Sequence, residues 1–157
     1  MRGIDFEVMW LDQDVIEYRV RCSNGFFCGD AKLYANHDDL RNEAEKLNGF
    51  PQDRRDSRSL ELGTFQSGSA GGGFRADFYC IDSAGHAIVC VKLRDDGCES
   101  MGEAQSICLL IPVEAGSIDS FVSQARSVRG EAGAKAHLQM ADHTTGWARR
   151  WFEAGRR

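Results

Sequence analysis

Apolar side chains recur at every second position over much of this chain, the period of half-buried β-strands. The densest such stretch is Phe74–Leu93, FRADFYCIDSAGHAIVCVKL, two apolar runs joined by a Ser-Ala-Gly turn. A two-residue loop at Ser83 and Ala84 opposes Cys80 to Ala87, Phe78 to Val89, Ala76 to Val91 and Phe74 to Leu93. That register collects the apolar residues on one face and leaves Arg75, Asp77, Tyr79, His86 and Lys92 on the other. A three-residue loop with a left-handed Gly85 would oppose Phe78 to Cys90 and mix the faces, so burial favours the first register.

The same period marks a first strand over residues 3–11, where Ile4, Phe6 and Val8 alternate with Asp5 and Glu7. After a polar turn at Asp12 to Asp14 comes VIEYRVRC, closed by Ser23-Asn24-Gly25, the strongest short hairpin signal. Folding at Asn24-Gly25 opposes Ile16 to Leu33, Tyr18 to Ala31, Val20 to Gly29 and Cys22 to Phe27. The reverse face then pairs Glu17 with Lys32 and Arg19 with Asp30, opposite charges facing one another.

The period changes to helical after residue 35. Asn36 is a fitting N-cap with Asp39 in the first turn, and Leu40, Ala44 and Leu47 form a buried stripe that Gly49-Phe50-Pro51 ends. DRRDSR, residues 53–58, reads as a solvated loop, and SLELGTF, residues 59–65, as a fourth strand with Leu60 and Leu62 facing in. SGSAGGG, residues 67–73, reads as a flexible link into the central hairpin. A turn at Asp95-Asp96-Gly97 precedes a last strand at 104–111, ended by Pro112. A helix follows from Glu114 to Val128, burying Ile118, Phe121, Val122, Ala125 and Val128.

Strand, strand, strand, helix thus occurs twice, over 3–48 and 74–128. The expected class is α+β: a curled or two-layer antiparallel sheet of about seven strands with two main helices and a C-terminal helical tail. One domain is expected over residues 1–129. Residues 130–157 read as a linker, Gly130 to Ala136, and an amphipathic segment with Trp147 and Trp151 on one face. Three uses of those aromatics compete: docking on the body, binding a partner or anionic lipid, and a loosely ordered tail.

Composition narrows the function classes. A hydrophobic fraction of 42% with 27% charged residues suits a folded globular chain. No run of about 18 apolar residues exists, so no membrane span is expected. The opening MRGIDFEVMWLDQD lacks an apolar signal core, which makes a cytoplasmic location the default. The six cysteines then read as thiols, and without a C-x-x-C pair no metal or cofactor is expected. The net charge of −5 hides an asymmetry, because residues 143–157 hold four arginines and one glutamate. The other 142 residues hold 15 basic and 23 acidic side chains. Such a body repels nucleic acid and attracts a basic protein.

Catalytic motifs are absent. The glycines of 67–73 lack a following Lys-Ser or Lys-Thr and lead into a strand, unlike a phosphate loop. Ser69 has Gly71 after it but Ser67 before it, which is not a nucleophile elbow. Lys92 follows Cys90 where a metal-dependent nuclease would place an acid, and Asp95, Asp96, Glu99 and Glu103 lack the spacing of a calcium loop. His37, His86, His137 and His143 neither pair at helical spacing nor adjoin a nucleophile.

The pattern RVRCSNGFFCGDAKLYANHDDLRNEAEKLNGFP, then GGGFRADFYCIDSAGHAIVCVKL, then AQSICLLIPVEAGSIDSFVSQ resembles a group of small bacterial proteins that includes immunity proteins of wall-associated and contact-dependent toxins. The resemblance covers about residues 15–128 and rests on Asn24-Gly25, Asn36 to Leu40, the Asp82 to His86 turn and Ile111-Pro112-Val113. It implies a non-enzymatic protein that binds and blocks a cognate toxin. The expected partner contacts are Glu17, Arg19 and Asp30 on the first hairpin, Asp95 and Asp96 in the acidic loop, and Trp147 and Trp151 in the tail. Oligomeric state is left open. Two other expectations compete: a small-ligand or carbohydrate-binding module using the Gly-rich loop and Tyr79, and an enzyme with scattered catalytic residues.

Overall fold

Alternation along the sequence becomes alternation across two sheets. The computed structural model describes residues 1–97, 102–142 and 144–154. Strand β1 (Gly3–Leu11) buries Ile4, Phe6 and Val8, β2 (Ile16–Ser23) buries Ile16, Tyr18, Val20 and Cys22, and β3 (Cys28–Ala35) buries Ala31, Leu33 and Ala35. Helix α1 (Asp39–Glu45) and β4 (Ser57–Gly63) follow. The order then recurs as β5 (Gly73–Cys80), β6 (His86–Asp95), β7 (Gln105–Glu114), α2 (Ala115–Ser127) and β8 (Lys135–Gln139), before a final helix α3 (Gly146–Ala154).

The two antiparallel sheets run β3-β2-β1-β8 and β4-β5-β6-β7. Each half of the chain gives three strands to one sheet and its fourth to the other. Strand β4, which follows α1, pairs with β5, and β8, which follows α2, pairs with β1. The exchanged strands are edges, and each is closed by a helix. Glu43 of α1 accepts the backbone N–H of Glu61 at 2.8 Å, and Gln124 of α2 accepts that of His137 at 3.0 Å. Side chains at these positions deny the edge to a foreign strand.

One core joins both sheets and α2. The Phe6 ring stands edge-on to Phe74 with centroids 5.0 Å apart, and lies 5.8 Å from Phe121. Fully burying each such ring is worth about 1.5–3 kcal/mol. Helices α1 and α2 touch, and the Arg126 guanidinium holds both carboxylate oxygens of Glu45. Among the described residues no helix is long and apolar enough to cross a membrane.

The β5–β6 register is the one that burial favoured, with Phe78 opposite Val89 and Ala76 opposite Val91. The β2–β3 register is not the expected one. Ile16 faces Ala35, Tyr18 faces Leu33, Val20 faces Ala31 and Cys22 faces Gly29, a slip of two. The loop holds four residues, because the Asn24 side-chain Oδ1 accepts the N–H groups of both Phe26 and Phe27 at 3.0 Å. A slip of two keeps every side chain on its face, so Arg19 still reaches Asp30, now diagonally.

Eight strands replace the expected seven, and three helices the expected two main ones. The added strand, β8, lies in the segment read as linker and tail, and its Ala136 and Leu138 enter the common core. Strand β4 starts at Ser57, inside the supposed loop, because Arg58 caps α1 by donating to the Lys46 and Asn48 carbonyls. Strand β7 runs through Pro112 to Glu114, since a proline on an edge strand forfeits no ladder bond. Asn36 does not cap α1: the Asp39 carboxylate accepts its N–H at 2.8 Å, and Asp38 is the N-cap.

Candidate functional site

Strand β3 crosses the end of the second sheet, and glycines let it do so. A Cβ on Gly72 would lie 2.0 Å from the Arg94 carbonyl oxygen, and one on Gly29 would lie 2.7 Å from Ile107 Cγ2. Gly71, Gly72 and Gly73 are buried in this crossing, with the Gly72 N–H donating to the Lys32 carbonyl at 2.7 Å. The expected flexible link is therefore packed at its glycine end. Its glycines serve close backbone approach.

The crossing brings the acids of two hairpins together. A groove of about 340 Å³ has Cys28, Gly29 and Asp30 of β3 on one wall, with Asp95, Gln105 and Ser106 on the other. Leu93 and Ile107 also line it. Arg19 Nε donates to both Asp30 oxygens at 3.0 and 2.9 Å. That pair raises the arginine's pKa through its hydrogen bond and charge. Asp96, next to Asp95 in sequence, turns to the Gly71 N–H and accepts it at 2.7 Å. On β2, Glu17 accepts the Tyr34 hydroxyl at 2.9 Å. This hydrogen bond, then partial desolvation and the charges of Glu17 and Asp96, raise the pKa of the Tyr34 phenol. Glu17, Arg19, Asp30, Asp95 and Asp96 thus share one region.

Trp147 and Trp151 stand elsewhere. Trp147 stacks on His86 with centroids 4.3 Å apart and planes at 17°, and its Nε1 donates to Glu114 at 3.2 Å. His86 in turn holds Asp82 at 2.6 Å, and this hydrogen bond lowers the Asp82 pKa. Trp151 meets Phe152 edge-on, and Phe152 meets Phe26 at 5.7 Å. Glu114 and Gln105 are the two ends of β7, roughly 30 Å apart at about 3.3 Å per residue. The seven expected contact residues therefore form two regions.

Cys28, Gln105, Ser106 and Tyr34 join the acidic region although no motif pointed to them. Gly29 was the available signal, as a glycine inside a strand marks close approach. His137 lies in β8 and its Nδ1 holds Asp5 at 2.6 Å, a surface pairing on the first sheet. Cys98, Glu99 and His143 fall outside the described residues. Among the described residues no three His, Cys, Asp or Glu side chains are placed to share a metal ion. No protein-family model matches the chain, and neither a curated protein nor a solved structure matches it.

Proposed function

We propose that this chain is a non-enzymatic binding protein that occludes a basic protein partner, in the manner of a bacterial immunity protein and its toxin. The observation that carries this reading is the convergence of Asp30 and Asp95, from hairpins in different sheets, on one groove. Carboxylates gathered this way speed the encounter with a basic surface and bias its orientation. The net charge of −5 acts in the same direction at longer range. Immunity-type function, with a bacterial origin and a cytoplasmic location, is the form of this reading that the sequence resemblance supports.

Calorimetric titration against a basic toxin domain, sought among the products of the neighbouring genes, tests it. The wild type should bind more weakly as salt rises, and the Asp30→Asn, Asp95→Asn, Asp96→Asn triple variant should lose at least about tenfold in affinity. Unchanged affinity of that variant at low salt would remove the groove from the interface. A small-ligand module is the second reading. It is favoured by a cavity of about 290 Å³ bounded by Asn24, Phe26, Met140 and Phe152, away from the Gly-rich loop.

A further inference from the structure

Four strands bound the two sheets, and each outer edge is closed in part. Glu43 and Gln124 cap β4 and β8. The C-terminal half of β7 is covered where Ala141 N–H donates to the Pro112 carbonyl at 2.8 Å and Asn24 Nδ2 to that of Leu110 at 3.2 Å. On β3 the Gly72 N–H meets the Lys32 carbonyl, a bond placed like a rung of a strand ladder.

The ladder stops there. Outward-facing groups alternate along an antiparallel strand, so the edge that shows Lys32 also shows the N–H and C=O of Asp30 and Cys28. By the same alternation β7 shows those of Ser106. Among the described residues none of these backbone groups has a partner. Cys28, Asp30 and Ser106 are exposed, and all three line the acidic groove. An unpaired edge beside Leu93 and Ile107, under carboxylates, offers main-chain bonds, an apolar contact and a charge preference in one place.

We infer that the groove takes an extended basic segment of the partner as a strand added to β3, continuing the ladder that Gly72 begins. This rests on the function proposed above and names its mode of contact. From Lys32 to Cys28 the edge runs about 13 Å, enough for four or five extended residues. Side chains alternate across an added strand. One set, apolar, meets Leu93 and Ile107 on the inner side, with Asp95 beyond them, while the other, lysine or arginine, lies beside Asp30 on the outer side. Gly29 brings β3 down onto Ile107, so the edge and the apolar contact lie together. A second copy of this chain is a poor occupant, because it would bring the same acids to the same groove.

The probe is an end-blocked pentapeptide, Lys-Val-Arg-Val-Lys, titrated at low salt into the full chain and followed by calorimetry and amide hydrogen exchange. Binding should slow exchange at the Cys28 and Asp30 amides. N-methylation of the two valine nitrogens and N-methylation of the arginine and last lysine nitrogens block alternate sets of donors. Strand addition predicts that one modified peptide loses about tenfold or more in affinity and the other little. If both or neither lose affinity, or if protection falls elsewhere, strand addition is overturned while a charge-led interface survives. Equal binding by a neutral Ser-Val-Thr-Val-Ser peptide overturns the basic occupant, and the proposed function with it. No peptide binding, with the toxin domain still held through the groove acids, overturns strand addition alone.

Discussion

Replacing Tyr18 by phenylalanine should stabilise this protein, and more so as pH rises. The side chain is 1% exposed and, among the described residues, its hydroxyl has no hydrogen-bond partner. Leaving a buried hydroxyl unsatisfied costs about 1–3 kcal/mol, so its removal should gain about 1 kcal/mol near neutrality. Burial, helped by the charge of Asp39, pushes the phenol from 10.0 up to about 12. The folded state therefore holds its proton more tightly than the unfolded chain. This leaves stability unaffected below pH 10 and erodes it as pH climbs from 10 towards 12. At pH 11 the loss is about 1.4 kcal/mol, and the full shift corresponds to at most about 2.7 kcal/mol. Urea unfolding of both proteins at pH 8 and pH 11, under reducing conditions, measures this directly. The stability gap should widen by about 1.4 kcal/mol between the two. A Tyr18→Phe variant less stable than wild type by more than about 1 kcal/mol would refute the unsatisfied hydroxyl. A gap that does not change with pH would refute the raised pKa.

Four further outcomes follow from the geometry. Gly72→Ala forces a Cβ against the Arg94 and Lys32 carbonyl oxygens, and should cost about 3 kcal/mol or more in thermal or urea unfolding. Gly116→Ala in α2, with open space around it, should instead gain about 0.5–1 kcal/mol. The Cys90 and Cys108 thiols lie 3.9 Å apart on the outer face of the second sheet, and burial followed by the bond to Cys108 raises the Cys90 pKa. Cys108→Ala should therefore speed iodoacetamide labelling of Cys90, read by mass spectrometry at pH 8. Gln124→Ala strips the His137 N–H of its acceptor and should cost about 1 kcal/mol in urea unfolding.

Local chemistry and burial made the central hairpin legible, because only one register put Phe78 and Val89 on the same side as Ala76 and Val91. The first hairpin was legible in its faces but not in its pairing. Asn24-Gly25 fits a two-residue turn as well as the four-residue loop, and the choice depends on where the Asn24 side-chain oxygen finds its donors. Strand β8 left almost no trace. It offers only Ala136 and Leu138 to the interior, and the pairing of its His137 with Asp5 spans 132 positions. The acids of the candidate site were visible singly, while their meeting depends on β3 crossing the second sheet. Gly29 and Gly71 to Gly73 recorded that crossing, but a run of glycines reads equally well as slack chain until the neighbouring backbone is known.

The exchange of fourth strands has a consequence for the order of assembly. Strand β1 emerges from the ribosome more than a hundred residues ahead of β8, which must sit beside it. Until then the nascent chain carries a three-stranded sheet with one flank bare, and at synthesis rates of about 5–20 residues per second that interval lasts several seconds. Neither half can finish its own sheet, so a chain cut between β4 and β5 would yield two incomplete pieces, each needing the other as a template.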